Sequence, residues 1–111
     1  MVTEVEYNPP NTLQRYAEFI ARGTAGQIED VDMLMHELMI NDDLATTRLV
    51  DYALSLVATF AARERIKTYL FNGIQIQRNY AALYFKRKGF VDILDEAVAQ
   101  GKIDREQAYA R

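Results

Sequence analysis

Hydrophobic residues recur three and four positions apart along most of this 111-residue chain. That spacing is typical of amphipathic helices, so the sequence predicts an all-α fold of six to seven short helices, stacked as antiparallel hairpins. Five of the predicted helices cover approximately residues 12–22, 24–40, 44–59, 75–88 and 91–100. A further helix ends at Asn72, and Asp104 with Gln107 has the spacing of a cap for a last short helix.

Glycines and capping residues mark the predicted helix ends. Gly23 follows the first apolar stripe as a stop signal, and Thr24 with Gln27 has the spacing of a capping box for the second helix. Gly89 and Gly101 end the fifth and sixth helices in the same way. We therefore expect the turns at junctions that contain glycine.

The third and fourth helices are predicted to be separate although no glycine or proline divides them. The apolar stripe of the third helix reaches Phe60, and Arg63 and Glu64 then stand where its next members should fall. This interruption predicts a turn near residues 59–62. The third helix is apolar over so much of its circumference that we expect it to be the central, most buried one.

Inward-facing positions follow from the same periodicity. Clustered methionines more often fill a core than line an open groove, so those of the second helix are assigned to the core. The positions expected to be buried in the first helix are Leu13, Tyr16, Ala17 and Ile20, and those in the second include Met33, Leu34, Met35, Leu38 and Met39.

Residues 1–10 are predicted to form a short extended arm ahead of a single helical domain at residues 11–111. In a period-2 pattern that includes β-favouring residues, Val2, Glu4 and Glu6 alternate with Thr3, Val5 and Tyr7, which favours extended backbone. Pro9-Pro10 prevents a helix from running backwards into this segment. The arm is either a frayed terminus or a strand that pairs with a neighbouring chain.

A weak internal repeat accompanies the helices. Tyr-Ala pairs occur at residues 16–17, 52–53, 80–81 and 109–110, and a shift of 28 residues superimposes Gly73 on Gly101. In period and in Tyr/Ala placement this resembles HEAT-like α-solenoid hairpins, although no family signature is matched and the unit is shorter. A compact bundle of six or seven helices fits the same pattern.

Composition limits the chemistry and the expected location of the chain. The chain contains no cysteine, which rules out disulfides and thiolate chemistry. The first eleven residues lack a signal-peptide pattern, and charges interrupt every apolar run before the roughly 18 residues that a membrane span needs. A cytoplasmic protein without membrane association is expected.

Charge is segregated along the sequence although the net charge is only −3. Residues 1–60 hold ten acids and three bases, residues 61–89 hold seven bases and one acid, and residues 90–111 hold five acids and three bases. Such asymmetry bears on partners and association rates. The predicted partner-binding residues form a basic set (Arg63, Arg65, Lys67, Arg78, Lys86, Arg87 and Lys88) and an acidic set (Glu29, Asp30, Asp32, Glu37, Asp42 and Asp43).

These sets suggest a non-enzymatic interaction or scaffold domain that binds a protein partner, or another copy of itself, through oppositely charged helical surfaces. The basic set also flanks aromatic residues at positions 80–85, a mixture that can bind phosphates and stack on bases. The alternative is therefore a nucleic-acid-binding protein that uses the basic and aromatic surface of residues 63–88.

Candidate catalytic and metal-binding residues are few, and no catalytic residue or cofactor is predicted. Ser55 is the only serine and lies in an apolar stretch, where its hydroxyl is expected to bond to a helical carbonyl. His36 is the only histidine and follows Asp32 by four residues and Glu29 by seven. A carboxylate-bridged site on a helical bundle needs histidines from two helices, so His36 is expected to play a structural role.

Overall fold

A computed structural model describes residues 12–110, and this part of the chain forms seven α-helices and no β-strand. The predicted all-α class and the helix number are confirmed. The predicted arm at residues 1–10 lies outside the described residues. The helices are α1 (Thr12–Ala25), α2 (Ile28–Ile40), α3 (Leu44–Ser55), α4 (Phe60–Asn72), α5 (Gln75–Lys88), α6 (Val91–Ala99) and α7 (Arg105–Tyr109).

The helices form two groups that share one core. α1, α2 and α3 pack on one another, and α5 packs on α4, α6 and α7. α2 also contacts α4 and α5, and α3 contacts α5, so the two groups are joined through these helices. The shared core has at its centre the fully buried side chains of Leu34, Met35, Leu38, Leu54, Ile66, Leu70 and Phe85.

This arrangement is a compact bundle. α5 contacts five other helices, two of them from the first group, so that both groups pack around one core. The Tyr-Ala pairs also occupy unlike places, because Ala53 and Ala81 are buried while Ala17 and Ala110 are exposed. The suggested repeat therefore does not correspond to equivalent packing positions.

Most predicted helix ends are confirmed where a local cap sets them. The Asp43 carboxylate accepts the Thr46 N–H at 2.8 Å at the start of α3, and Asp104 accepts the Gln107 N–H at 2.7 Å at the start of α7. Gly89 ends α5 with φ +79°, a left-handed conformation that glycine adopts without strain. These ends depend on residues close in sequence, which is why the pattern located them.

The predicted junction between α1 and α2 is wrong. Gly23 lies inside α1, which continues to Ala25, and Gly26 makes the turn with φ +58°. The capping box is formed by Gln27 and Asp30, whose carboxylate accepts the Gln27 N–H at 3.0 Å. Gly23 serves a tertiary contact, because a β-carbon there would lie 2.1 Å from the Ala53 carbonyl oxygen.

The close approach at Gly23 also explains an error in the predicted face of α1. Gly23 and Phe19 face α3, while Leu13 is 80% exposed and Tyr16 is 47% exposed. The Arg15 guanidinium donates to the Thr46 hydroxyl at 2.9 Å, so α1 and α3 run side by side in the same direction. Backbone contact with α3 thus decides which face of α1 is buried, and the apolar stripe that includes Leu13 and Tyr16 faces solvent.

The third helix ends four residues earlier than predicted and is not the central one. The turn at residues 56–59 is held in place because the Thr59 hydroxyl donates to the Gly26 carbonyl at 2.9 Å and the Tyr84 hydroxyl donates to the Val57 carbonyl at 3.3 Å. Val57 is fully buried, whereas Phe60, expected inward, is 71% exposed at the start of α4. The central position belongs to α5.

No helix in the described part of the chain has both the length and the apolar character needed to cross a membrane.

Replacing Gly23 with alanine tests the contact between α1 and α3. Within a helix, Gly→Ala normally stabilises by about 1 kcal/mol. Here the new methyl group would strike the Ala53 backbone, so we expect a loss of about 2 kcal/mol in the free energy of unfolding, measured by urea denaturation. A stabilised G23A variant would show that the two helices are not in contact at this point.

Candidate functional site

A cleft of about 620 Å³ opens between α2 and the turn that joins α4 to α5. Thr59, at the start of α4, is bonded to Gly26, just before α2, and Arg65 is bonded to Asp32 further along both helices, so these two helices run in the same direction. Both therefore end beside the cleft. Its lining consists of Asp32, Met33, His36, Glu37, Met39, Tyr69, Asn72, Ile74 and Gln77.

One wall of the cleft is fixed by a polar link between α2 and α4. Arg65 donates from Nε to Asp32 Oδ1 at 2.8 Å and from Nη2 to Oδ2 at 2.9 Å, and the Tyr69 hydroxyl donates to Oδ1 at 2.8 Å. Such a two-pronged arginine contact fixes direction as well as distance. Asp32 therefore holds the two parallel helices at a set spacing, and the cleft lies between this link and the carboxyl-terminal ends of the two helices.

This link moves the pKa values of Asp32 and Tyr69 further from pH 7. The hydrogen bonds from Arg65 hold the pKa of Asp32 below its usual value, although partial burial acts in the opposite direction. Burial, with the hydrogen bond to Asp32, raises the pKa of Tyr69 to about 12. General acid–base catalysis works best when the pKa lies near the operating pH, so these two groups are poorly suited to it.

His36 lines the same cleft but does not assemble a metal site with its neighbours. Asp32 is bound to Arg65 and Tyr69, and Glu29 lies two helical turns earlier on α2. Across residues 12–110, no group of three or more histidine, cysteine, aspartate or glutamate side chains is placed to hold a metal ion. His36 is an exposed polar member of the cleft wall.

Apolar side chains form the rim of the cleft. Met33 is 46% exposed and Met39 is 55% exposed, whereas Met35, which points into the core, is fully buried. The assignment of Met33 and Met39 to the core is therefore wrong, because α2 buries only the face that carries Val31, Leu34, Met35 and Leu38. Ile74, in the turn before α5, adds a third half-exposed apolar group.

Apart from His36, the acidic and basic residues that line the cleft are two carboxylates, Asp32 and Glu37. The carboxyl-terminal ends of α2 and α4 meet there, and neither has a basic residue in its last turn. A helix carries partial negative charge at its carboxyl-terminal end, and among the helices that line the cleft α5 is the one that begins here and supplies the opposite sign. Glu37 adds a carboxylate, which forms a salt bridge with Arg15 at 3.9 Å. The lining includes two carboxylates and no lysine or arginine.

The basic set does not lie on one surface. Arg65 is on the α2–α4 link, and Arg78 donates to the carbonyls of Gly73 and Lys102 near the start of α5. The Arg63 guanidinium lies over the Phe90 ring, 4.8 Å from its centroid, at the opposite end of α5. Lys67 lies one turn further along α4, half-buried.

The last turn of α5 carries the remaining members of the basic set. Arg87 pairs with Asp51 at 2.6 Å, and Lys88 donates to the Ser55 carbonyl at 3.1 Å. Lys86 donates to the Ala110 carbonyl at 2.6 Å. Ser55 itself donates from its hydroxyl to the Tyr52 carbonyl at 2.5 Å, as expected from the sequence.

The acidic set is divided between the two ends of α2. Glu29 and Asp30 are in its first turn, where Asp30 also meets Arg22 at 3.4 Å. Asp32 faces Arg65, and Glu37 lies near the end that borders the cleft. Asp42 and Asp43 are exposed in the following turn. The structure therefore brings Glu37, Asp42 and Asp43 to the end of the molecule that contains the cleft.

The aromatic residues that flank the basic set are mostly inaccessible. Tyr84 is 2% exposed and Phe85 is fully buried, and their rings meet edge to face at 5.0 Å. Tyr80 is half-buried against the core. The surface of residues 63–88 thus lacks the exposed rings on which bases stack.

Several cleft residues were not singled out from the sequence. Tyr69, Asn72, Ile74 and Gln77 come from the end of α4 and the start of α5, and their role depends on α2 lying alongside. Gln77 joins the helices from inside, since its side-chain amide donates to the Met35 carbonyl at 3.2 Å and its oxygen accepts the Ile74 N–H at 3.0 Å. No local pattern distinguishes these residues from ordinary helical positions.

Comparisons of the chain with protein-family models, with curated proteins and with solved structures gave no match.

The pKa of Tyr69 gives a direct test of the α2–α4 link. Because the folded pKa is raised, to about 12, above the ordinary value near 10, the phenol's contribution to stability is complete below pH 10 and is lost between about pH 10 and 12. In an alkaline titration of phenolate absorbance, Y69F should lack one late-titrating tyrosine, whereas Y52F, a change on the exposed side of α3, should retain it. An unchanged late step in Y69F would contradict the link.

Proposed function

We propose that this chain is a non-enzymatic protein-interaction domain whose binding site is the cleft between α2 and the α4–α5 turn. One observation carries the proposal: a cleft of about 620 Å³ has a half-exposed apolar rim and two carboxylates in its lining, on a fixed helical frame. We also propose a cytoplasmic setting, based on the absence of cysteine in the sequence.

The chemistry of the cleft favours a segment of a protein that combines apolar and basic side chains. Met33, Met39 and Ile74 offer flexible apolar contacts, and methionine side chains adapt to different partners. Glu37 and the carboxyl-terminal ends of α2 and α4 attract a lysine or arginine. An amphipathic helix with both residue types laid into the groove is a recurring mode of recognition.

The polar residues of the cleft support binding more than catalysis. Asp32 is held as a carboxylate and Tyr69 as a neutral phenol, so neither exchanges a proton near pH 7. Their hydrogen bonds link two helices of the frame, which gives both side chains a structural role. We therefore retain the proposal that the chain is not an enzyme and uses no cofactor.

Nucleic-acid binding through residues 63–88 is the weaker proposal. The basic set is divided among several sites, and the buried Tyr84 and Phe85 offer no stacking surface. Binding would then rest on phosphate contacts at the end of α5 alone, and such contacts are few and sensitive to salt.

The first test of the proposed function is capture of partners on the immobilised chain from a lysate of the parent organism. M39E places a charge on the rim of the cleft and should lower the recovered partner about tenfold or more. Y52E is the matched control, because Tyr52 is 47% exposed on another helix, and it should capture as wild type does. Equal recovery by M39E and wild type would rule out the cleft as the binding site.

A second test addresses the nucleic-acid alternative. We expect no measurable binding of generic duplex DNA or single-stranded RNA in low salt, monitored by fluorescence anisotropy. Binding that disappears when Lys86 and Arg87 are both changed to glutamate, and that falls steeply as salt is added, would instead establish that alternative.

A further inference from the structure

The end of the molecule remote from the cleft has the complementary chemistry. Two contacts bring three helix ends together here. Lys88, the last residue of α5, is bonded to Ser55, the last residue of α3, and Arg63, in the first turn of α4, lies over the Phe90 ring just after α5. Two exposed apolar side chains accompany these bases: Phe60 opens α4, and Val91 opens α6. We name this surface the basic end and define it by Phe60, Arg63, Lys86, Arg87, Lys88 and Val91.

The basic end keeps a positive charge despite its internal contacts. Arg87 is offset by Asp51, whereas Lys86 donates to the neutral Ala110 carbonyl, and Lys88 donates to the neutral Ser55 carbonyl and lies over the Tyr84 ring. A lysine ammonium has three donors, so each retains donors for a further acceptor. Arg63 rests on an aromatic ring and meets no carboxylate in a salt bridge within the described residues. The surface therefore presents cations beside apolar groups.

The cleft and the basic end lie at opposite ends of the α4–α5 hairpin. The cleft is lined by Tyr69 and Asn72 from the last turn of α4 and by Ile74 and Gln77 from the start of α5. The basic end uses the first turn of α4 and the last turn of α5. Each helix has 13 or 14 residues, which separates the two surfaces by about 20 Å.

We propose that the occupant of the cleft is the basic end of a second copy of this chain, so that copies associate head to tail. The inference rests on the proposed function, since it names the partner for the same cleft. It is carried by charge complementarity: one surface has carboxylates, no lysine or arginine in its lining, and an apolar rim, and the other has cations flanked by Phe60 and Val91.

The geometry also determines the kind of assembly. Two different surfaces at opposite ends of one molecule make a heterologous contact, which leaves a free cleft and a free basic end on every dimer. Addition of further copies then continues until a ring closes or an open chain forms. A two-fold dimer, in which the same patch meets itself, would stop at two copies.

Two variants with opposite defects test this arrangement. The cleft variant carries E37K and M39K, and the basic-end variant carries F60E and K88E. The altered side chains are at least partly exposed, and a glutamate at the first position of α4 suits the positive end of that helix. Thermal unfolding by circular dichroism verifies that both variants fold, and A17E, on the exposed side of α1 midway along that helix, serves as a control for an added charge elsewhere.

Sedimentation velocity from micromolar to millimolar protein at low salt gives the readout. Wild type and A17E should show a sedimentation coefficient that increases continuously with concentration, and added salt should reverse the increase. Each double variant alone should associate at least tenfold more weakly. An equimolar mixture of the two should form a dimer and nothing larger, because only one competent cleft meets one competent basic end.

Three results would overturn the inference. They are a wild-type chain that stays monomeric at millimolar concentration, double variants that self-associate as wild type does, and a mixture that remains monomeric. The proposed function is judged separately by the M39E capture experiment. A monomeric chain that still captures another protein through Met39 would refute self-association and leave the cleft as a site for a different partner.

Discussion

The packing of α2 is the constraint on which the rest of this structure depends. One face of the helix buries Val31, Leu34, Met35 and Leu38 against four other helices. Burial of each such side chain is worth about 1.5–3 kcal/mol, whereas an ion pair as exposed as Asp32 with Arg65 is strongly weakened by solvent. Burial therefore provides the stability, and the Asp32 link sets how α4 lies beside α2.

The cleft follows from this arrangement. With one face of α2 committed to the core, Met33, His36, Glu37 and Met39 are left on the open side. α4 runs parallel to α2 and ends at the same level, and the narrow turn at Gly73 directs α5 away while Gln77 bonds back to Met35. The negative ends of two helices and an apolar rim are thus consequences of the same packing that forms the core.

The sequence predicted the helices better than their faces, and the reason is physical. Asp43, Asp104 and Gly89 act on groups a few residues away, so their caps are visible in the pattern. Gly23 acts through Ala53, thirty positions later, and its local appearance as a helix stop was misleading. The outward stripe of α1 and the exposed Met33 and Met39 were misassigned because periodicity indicates an apolar face without indicating what covers it.

The site was predictable only in part. The sequence places Asp32, His36 and Glu37 on one helix. The role of Asp32 is defined by two partners on α4, Arg65 and Tyr69, and their approach depends on tertiary packing alone. The segregation of charge along the sequence has two structural consequences. Asp32–Arg65 and Asp51–Arg87 pair oppositely charged segments within the fold, while Glu37 and Lys88 remain at opposite ends of the molecule.

The most direct test of the central claim measures which face of α2 meets solvent. In the protein labelled with ¹³C at the methionine methyl groups, a soluble paramagnetic probe should broaden the Met33 and Met39 signals and leave that of the buried Met35 sharp. Single leucine replacements assign the signals. Equal broadening of all three, or protection of Met33 and Met39, would contradict both the packing of α2 and the cleft.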